Sequence, residues 1–199
     1  ADGAGREDVA RQVLLTWYKL GLLLVRHTPT MTPPVASRAL AYIGVGCFEA
    51  LATGILASLL LAGPENQDSA ILSGLTALAR FLGADIAALW DWDATRREFS
   101  IVQRWVDPAV SVPAALLPAD AVPWLAKKML AGERVFYAHR GELPAEAAVE
   151  AQMYDKSMLV LPLERGGALA GGLVLGCNQQ PRDWPARVIG GVELLARVF

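Results

Sequence analysis

Two apolar runs separated by three turn residues constrain this chain more than any other feature. Ser157–Glu164 (SMLVLPLE) and Ala168–Cys177 (ALAGGLVLGC) are dense in Leu and Val, and Arg165-Gly166-Gly167 lies between them. Glycine supplies the positive φ that a tight hairpin turn demands, so the two runs are predicted to pair as antiparallel strands.

The segments before this hairpin change period once. After the turn Gly63-Pro64-Glu65-Asn66, Ile71, Leu72, Leu75, Leu78, Ala79 and Leu82 recur at helical spacing. Asn66 or Asp68 is the candidate N-cap, and Gly83 suits the C-terminal cap. From Asp85 the period becomes two. Asp85–Asp93 reads as a strand, Ala94–Glu98 as a charged hairpin turn and Phe99–Val106 as a second strand. Alternation then predicts one face carrying Phe99, Ile101, Gln103 and Trp105, and the other carrying Ser100, Val102, Arg104 and Val106. Trp90 and Trp92 share one face and call for cover from a helix.

A Pro-rich loop (107–118) follows. Then come a short helix Asp120–Ala131 ending at Gly132, a strand Arg134–Ala138 and a second short helix Pro144–Lys156. Beyond the glycine hairpin and a loop at 178–182, Asp183 is placed to cap a last helix with Pro185 in its first turn. Val188, Val192, Leu195 and Phe199 are spaced four, three and four apart, the apolar seam of a helix that pairs with another. This order of elements predicts an α+β domain over residues 63–199. Its antiparallel sheet of five to six strands is flanked by helices. The terminal helices cover one face, and the middle loop and short helices cover the other, where they can enclose a ligand.

Residues 1–62 differ in character and read as a two-helix N-terminal segment broken by the prolines of HTPTMTPP (27–34). The second helix, from about Val35 to Ala62, is long and apolar enough to raise membrane contact of residues 35–62. Glu49 at its centre opposes insertion by about 3 kcal/mol. Small residues (Gly44, Gly46, Ala50, Ala52, Gly54, Ala57) suit close packing in either solvent, so a buried helix and a membrane or interfacial helix both stay open.

Composition narrows the function classes. Hydrophobic residues at 54% supply a core, and a net charge of −2 gives no basic field for a nucleic acid. Cys47 and Cys177 form no CxxC pair and have no neighbouring His, so they read as buried thiols in a reducing compartment, with no metal site and a cytoplasmic location. Residues 1–12 are polar with both signs of charge, unlike a secretory signal. No catalytic constellation is visible. The chain has neither a G-x-S-x-G elbow nor a Ser-x-x-Lys pair, and Asp91, Asp93 and Glu98 lack a third metal ligand and a nucleophile. Gly171, Gly172 and Gly176 read as close helix approach to the sheet. A phosphate cradle would need a helix start after them.

ALARFLGADIAALWDWD, LAGERVF, YDKSMLVLPLERGGALAGGLVLG and DWPARVIGGVELLARVF, in that order, resemble the GAF family over residues 63–199. The resemblance implies a GAF/PAS-like fold, a non-catalytic sensor in signal transduction such as a two-component system, no cofactor, an unidentified small-molecule ligand and a homodimer. It implies a cavity that Trp105, Trp124, Tyr137, His139 and Tyr154 would line, although the residues by themselves favour core packing for the aromatics and a solvated loop for His139, and a dimer seam of Val188, Val192, Leu195 and Phe199. The family's ligand-defining residues are not matched. Cys177 is followed by Asn178 where bilin-binding members have Cys-His, and the cyclic-nucleotide set and the cysteines of the free-methionine-sulfoxide reductases are absent. A ligand-free dimerisation or interaction module is the alternative. Residues 8–51 are similar to the N-terminal helical segment of vanadium-haloperoxidase and type 2 phosphatidic acid phosphatase relatives. That implies a third reading, a non-catalytic fragment fused to a GAF domain, because His27 and His139 stand in none of that family's catalytic settings.

Overall fold

The structure is a computed structural model that describes residues 33–110, 116–153 and 156–196. Helix α1 (Pro33–Leu61) passes through the point where the chain divides into two compact units, Ala1–Thr53 and Gly54–Phe199. No helix among the described residues is long and apolar enough to cross a membrane. Most of the segment that resembles the haloperoxidase relatives lies outside the described residues.

In the second unit, α2 (Gln67–Leu82) turns Leu75, Leu78, Ala79 and Leu82 inward at the expected spacing. Gly83 ends it at φ 63°, and the Ala84 N–H reaches back to the Ala79 carbonyl at 2.9 Å. The N-terminus differs from expectation. Asn66 occupies the cap position at the end of a 3-10 turn (Pro64–Asn66) but makes no side-chain cap bond; its Nδ2 donates to Glu65 Oε1 at 3.2 Å.

The sheet holds β1 (Ile86–Asp93), β2 (Glu98–Val106), β3 (Leu116–Pro118), β4 (Val135–Tyr137), β5 (Ser157–Arg165) and β6 (Ala168–Cys177). Its order is β3-β2-β1-β6-β5-β4, and every pairing is antiparallel. Gly166 (φ 64°) and Gly167 (φ 79°) form the two-residue turn between β5 and β6, as their sequence predicts. The sixth strand, β3, lies inside what reads as loop and pairs with Glu98–Ser100.

The β1–β2 register corrects the faces expected for the second strand. Leu89 pairs with Gln103 but Trp90 with Ile101, so Val102 is an unpaired bulge residue, 51% exposed. One extra residue reverses the alternation. Phe99 and Ile101 share the face of Trp90 and Trp92, whereas Gln103 and Trp105 share the face of Leu89 and Ala87.

Each face has its own cover. Ala87, Leu89, Leu159, Leu161, Leu173 and Leu175 are buried on the side where α2 meets β1 and β2 and where α5 (Ala186–Ala196) meets β5. The opposite side carries α3 (Pro123–Leu130), a 3-10 turn (Ala145–Ala147) and α4 (Glu150–Met153). The single helices expected over 120–131 and 144–156 are thus shorter. Pro123 has no N–H to donate and starts α3 afresh after a 3-10 turn (Ala119–Ala121).

Two glycines of β6 are bare for different reasons. A Cβ on Gly172 would stand 2.5 Å from the Met129 methyl of α3, the close helix approach read from the sequence. A Cβ on Gly171 would collide with the Trp90 carbonyl oxygen, so there the neighbour is the backbone of β1. Gly171→Ala is expected to cost roughly 3 kcal/mol and Gly172→Ala about 1 kcal/mol, since a methionine methyl can swing aside and a strand backbone cannot. Urea denaturation of both variants checks this, and equal costs or the reverse order would count against it.

The β1–β2 turn accounts for the acidic residues of that hairpin. Asp93 Oδ1 accepts the N–H groups of Thr95 (2.8 Å) and Arg96 (3.0 Å), and Arg96 lies 3.5 Å from Glu98. Those bonds, from Arg96 first and Thr95 second, hold the Asp93 carboxyl below its ordinary pKa. A lowered folded pKa gives stability that is present above the unfolded value and lost as pH falls through the folded one. Asp93→Ala is therefore expected to be less stable than the parent at pH 7, with the gap closing in acid; a gap independent of pH between 7 and 2.5 would contradict it.

Candidate functional site

The lid side of the sheet is where the sequence places an enclosed site. Trp90 and Trp92 of β1 flank Phe99 of β2 with ring centroids 5.7 and 4.6 Å away. Onto this layer α3 lowers Leu125, Ala126 and Met129, with Val122 just before it, while Val135 and Tyr137 of β4, Met158 and Val160 of β5 and Val174 of β6 complete one buried cluster. Phe99, Val122, Leu125, Met129 and Val160 are each no more than 1% exposed. Among the described residues the expected concavity is therefore occupied by the protein's own side chains.

One polar group is embedded at the edge of this cluster. Glu150, at the start of α4, is 1% exposed. Its Oε1 accepts the backbone N–H of Trp124 at 2.7 Å and of Leu125 at 3.1 Å. These are the donors that the first turn of α3 leaves without an intrahelical acceptor. Pro123 has no N–H, and the Ala126 N–H already bonds the Val122 carbonyl at 2.8 Å. Val122, at the N-cap position, offers no side-chain acceptor, so a residue 25 positions away from Leu125 does the capping. The second oxygen, Oε2, is buried without a hydrogen-bond partner.

The residues proposed from sequence are dispersed. Tyr137 is buried in the lid cluster at 2% exposure, and Trp124 packs against the same cluster. His139 is exposed in the segment after β4. Trp105 falls on the opposite face, opposite Ala87, because of the bulge at Val102. Tyr154 lies outside the described residues. Nothing in the sequence marks Glu150 for this role. Its spacing from Trp124 carries no local signal, and only the absence of a capping residue before Pro123 hints that a cap must come from elsewhere.

The terminal-helix side has a half-open cleft of about 1050 Å³. Ile71 of α2 and Ala196 of α5 form its walls, Leu89, Leu161, Leu163 and Gly171 its floor. Arg134 and Glu193 pair at 2.6 Å along its rim. The α5 seam is turned inward at two of its positions. Val192 and Leu195 are 0% and 3% exposed, because three–four spacing marks the face a helix turns to its own sheet as readily as one offered to a partner. Leu194 is the outward residue, 67% exposed, and Phe199 lies outside the described residues.

Cys177 ends β6, 2% exposed, with burial as the main cause pushing its thiol pKa upward. The side chain of Cys47 is not among those described. The described residues contain no group of three or more His, Cys, Asp or Glu placed to hold a metal.

No protein family and no curated protein matches the chain. Solved structures do. The chromophore-binding domain of an unusual bacteriophytochrome from R. palustris superimposes with a TM-score of 0.64 at 14% identity, over 77% of this chain and 59% of that one. The chain thus spans about three-fifths of that domain's length. Free methionine-R-sulfoxide reductase from Neisseria meningitidis, solved with its substrate, gives 0.62 at 12% identity over 77% of this chain and 86% of the other. The phycoerythrobilin-bound GAF domain from a cyanobacterial phytochrome gives 0.61 at 15% identity over 76% and 91%. With its six-stranded antiparallel sheet, a lid of short helices on one face and the terminal helices on the other, this chain has the GAF-domain fold.

Proposed function

We propose that this chain is a regulatory, small-molecule-sensing module of a cytoplasmic signalling protein, of two-component or similar type, and that it dimerises through its terminal helices. The observation that carries the reading is the unequal cover of the two sheet faces. One face holds the two terminal helices, and the other holds α3, an eight-residue helix tied at its N-terminus to Glu150. Such a helix can move as a unit while the sheet stays intact.

The filled lid face sets the energetics. Burial of a Leu or Met side chain contributes about 2 kcal/mol. Displacing Leu125 and Met129 thus costs about 4 kcal/mol, which would weaken apparent affinity roughly a thousandfold unless the ligand replaces their contacts. The ligand is therefore a molecule with an apolar body. A ligand that binds only the displaced state shifts the lid by its differential affinity, which is all that sensing requires.

Two neighbours among the solved structures suggest more specific readings, and the residues here favour neither. A covalent bilin needs a reactive thiol at the pocket, whereas Cys177 is buried at a strand end with its pKa raised. Sulfoxide reduction needs a cysteine set that the sequence lacks. We infer a binding module without catalysis.

The same filled face favours a second reading, a ligand-free interaction module, and exposed Leu194 at 67% gives it a contact. Native mass spectrometry of the purified chain and amide exchange across residues 123–130 separate the two. Sensing predicts a retained apolar molecule whose removal lets α3 repack and slows its exchange. Sedimentation is expected to show a dimer that Leu194→Glu converts to monomer. A dimer that retains nothing, with α3 exchange indifferent to extraction, would establish the second reading, and a chain monomeric at high concentration would remove dimerisation from both.

A further inference from the structure

We propose that Glu150 is the ligand-recognition residue of the lid and that the molecule it selects carries a cationic nitrogen group, an amine or amidine, on its apolar body. The inference rests on the sensing reading and names the chemistry that reading leaves open.

A helix N-terminus ordinarily attracts anions, because its first N–H groups point outward without partners. At α3 that attraction is already spent. Pro123 contributes no donor, Trp124 and Leu125 donate to Glu150 Oε1, and Ala126 donates to the Val122 carbonyl. An anionic ligand would find no free donor there and would face the Glu150 carboxylate.

The other oxygen points to the opposite class of ligand. Capping two N–H groups needs one acceptor atom, which a neutral side chain supplies as well. Glu150 brings a second oxygen into a place where the side chain is 1% exposed, and leaves it without a hydrogen bond. A buried, unpaired carboxylate oxygen is costly, and a charged donor that reaches it offsets that cost. No Lys or Arg among the described residues pairs with Glu150. Val122, at the N-cap position of α3, and Ala147, three residues before Glu150, are both 0% exposed. A charged donor on an apolar body satisfies both features, and the Oε1 contacts place that donor next to the element proposed to move.

Isothermal titration of the whole chain with benzamidinium and with its anionic isostere benzoate tests this, alongside the 13C carboxyl resonance of Glu150. Benzamidinium is expected to bind about tenfold or more tightly than benzoate, as a charge-assisted hydrogen bond implies, and to move that resonance. In Glu150→Gln the amide oxygen still caps α3, so the fold is retained while the preference for the cation disappears. Equal binding of the two probes, an undiminished preference in Glu150→Gln, failure of benzamidinium to bind at millimolar concentration, or a water or side chain found on Oε2 would each overturn the proposal. A retained ligand without a basic nitrogen would overturn it and leave the sensing reading standing. No retained ligand and no probe binding would remove both.

Discussion

The backbone contact of β1 with β6 governs the rest of this domain. Gly171 has no Cβ, and the Trp90 carbonyl occupies the space one would need. Close approach at this point aligns Trp90 with Gly172 and Asp91 with Gly171, at the far end of a ladder that begins at Ile86 and Gly176. The two strongest hairpins, β1–β2 and β5–β6, are joined only along this seam. Their common sheet can then be buried on both faces, and each helix inherits its position from the strand it follows or precedes.

The sheet was readable because period two and glycine turns are local signals. Gly166 and Gly167 lie inside the pattern that predicts them, and Gly83 closes a helix whose inward residues stand at regular spacing. What escaped reading was decided at a distance. Val102 bulges because of the register β2 adopts against β1, and no property of FSIVQRWV announces the extra residue. Trp105 consequently turns away from the face that Phe99 occupies. Leu116–Pro118 becomes a strand only because Glu98–Ser100 lies beside it. The α5 seam was visible as a seam, but its direction was not, since spacing alone does not say whether the buried neighbour belongs to the same chain.

The candidate site follows the same division. Aromatic residues near a lid can be guessed from composition, and Tyr137 and Trp124 do belong to the lid cluster. The carboxyl that ties the lid together could not be guessed. Glu150 becomes informative only when the donors of α3 have been counted and its burial is known. A tight apolar cluster beside one half-satisfied acid is a frustrated arrangement, stable in its packing and unsatisfied in its hydrogen bonding. That combination suits an element that must hold one position and be able to leave it.

Ile71 near the start of α2 and Ala196 at the end of α5 line one cleft, so the two terminal helices run from a common end of the sheet. Any widening of that cleft would therefore alter how these two helices lie across the sheet. A small change in splay there would be passed on as a relative twist of two adjacent rods, with the sheet serving as the fulcrum.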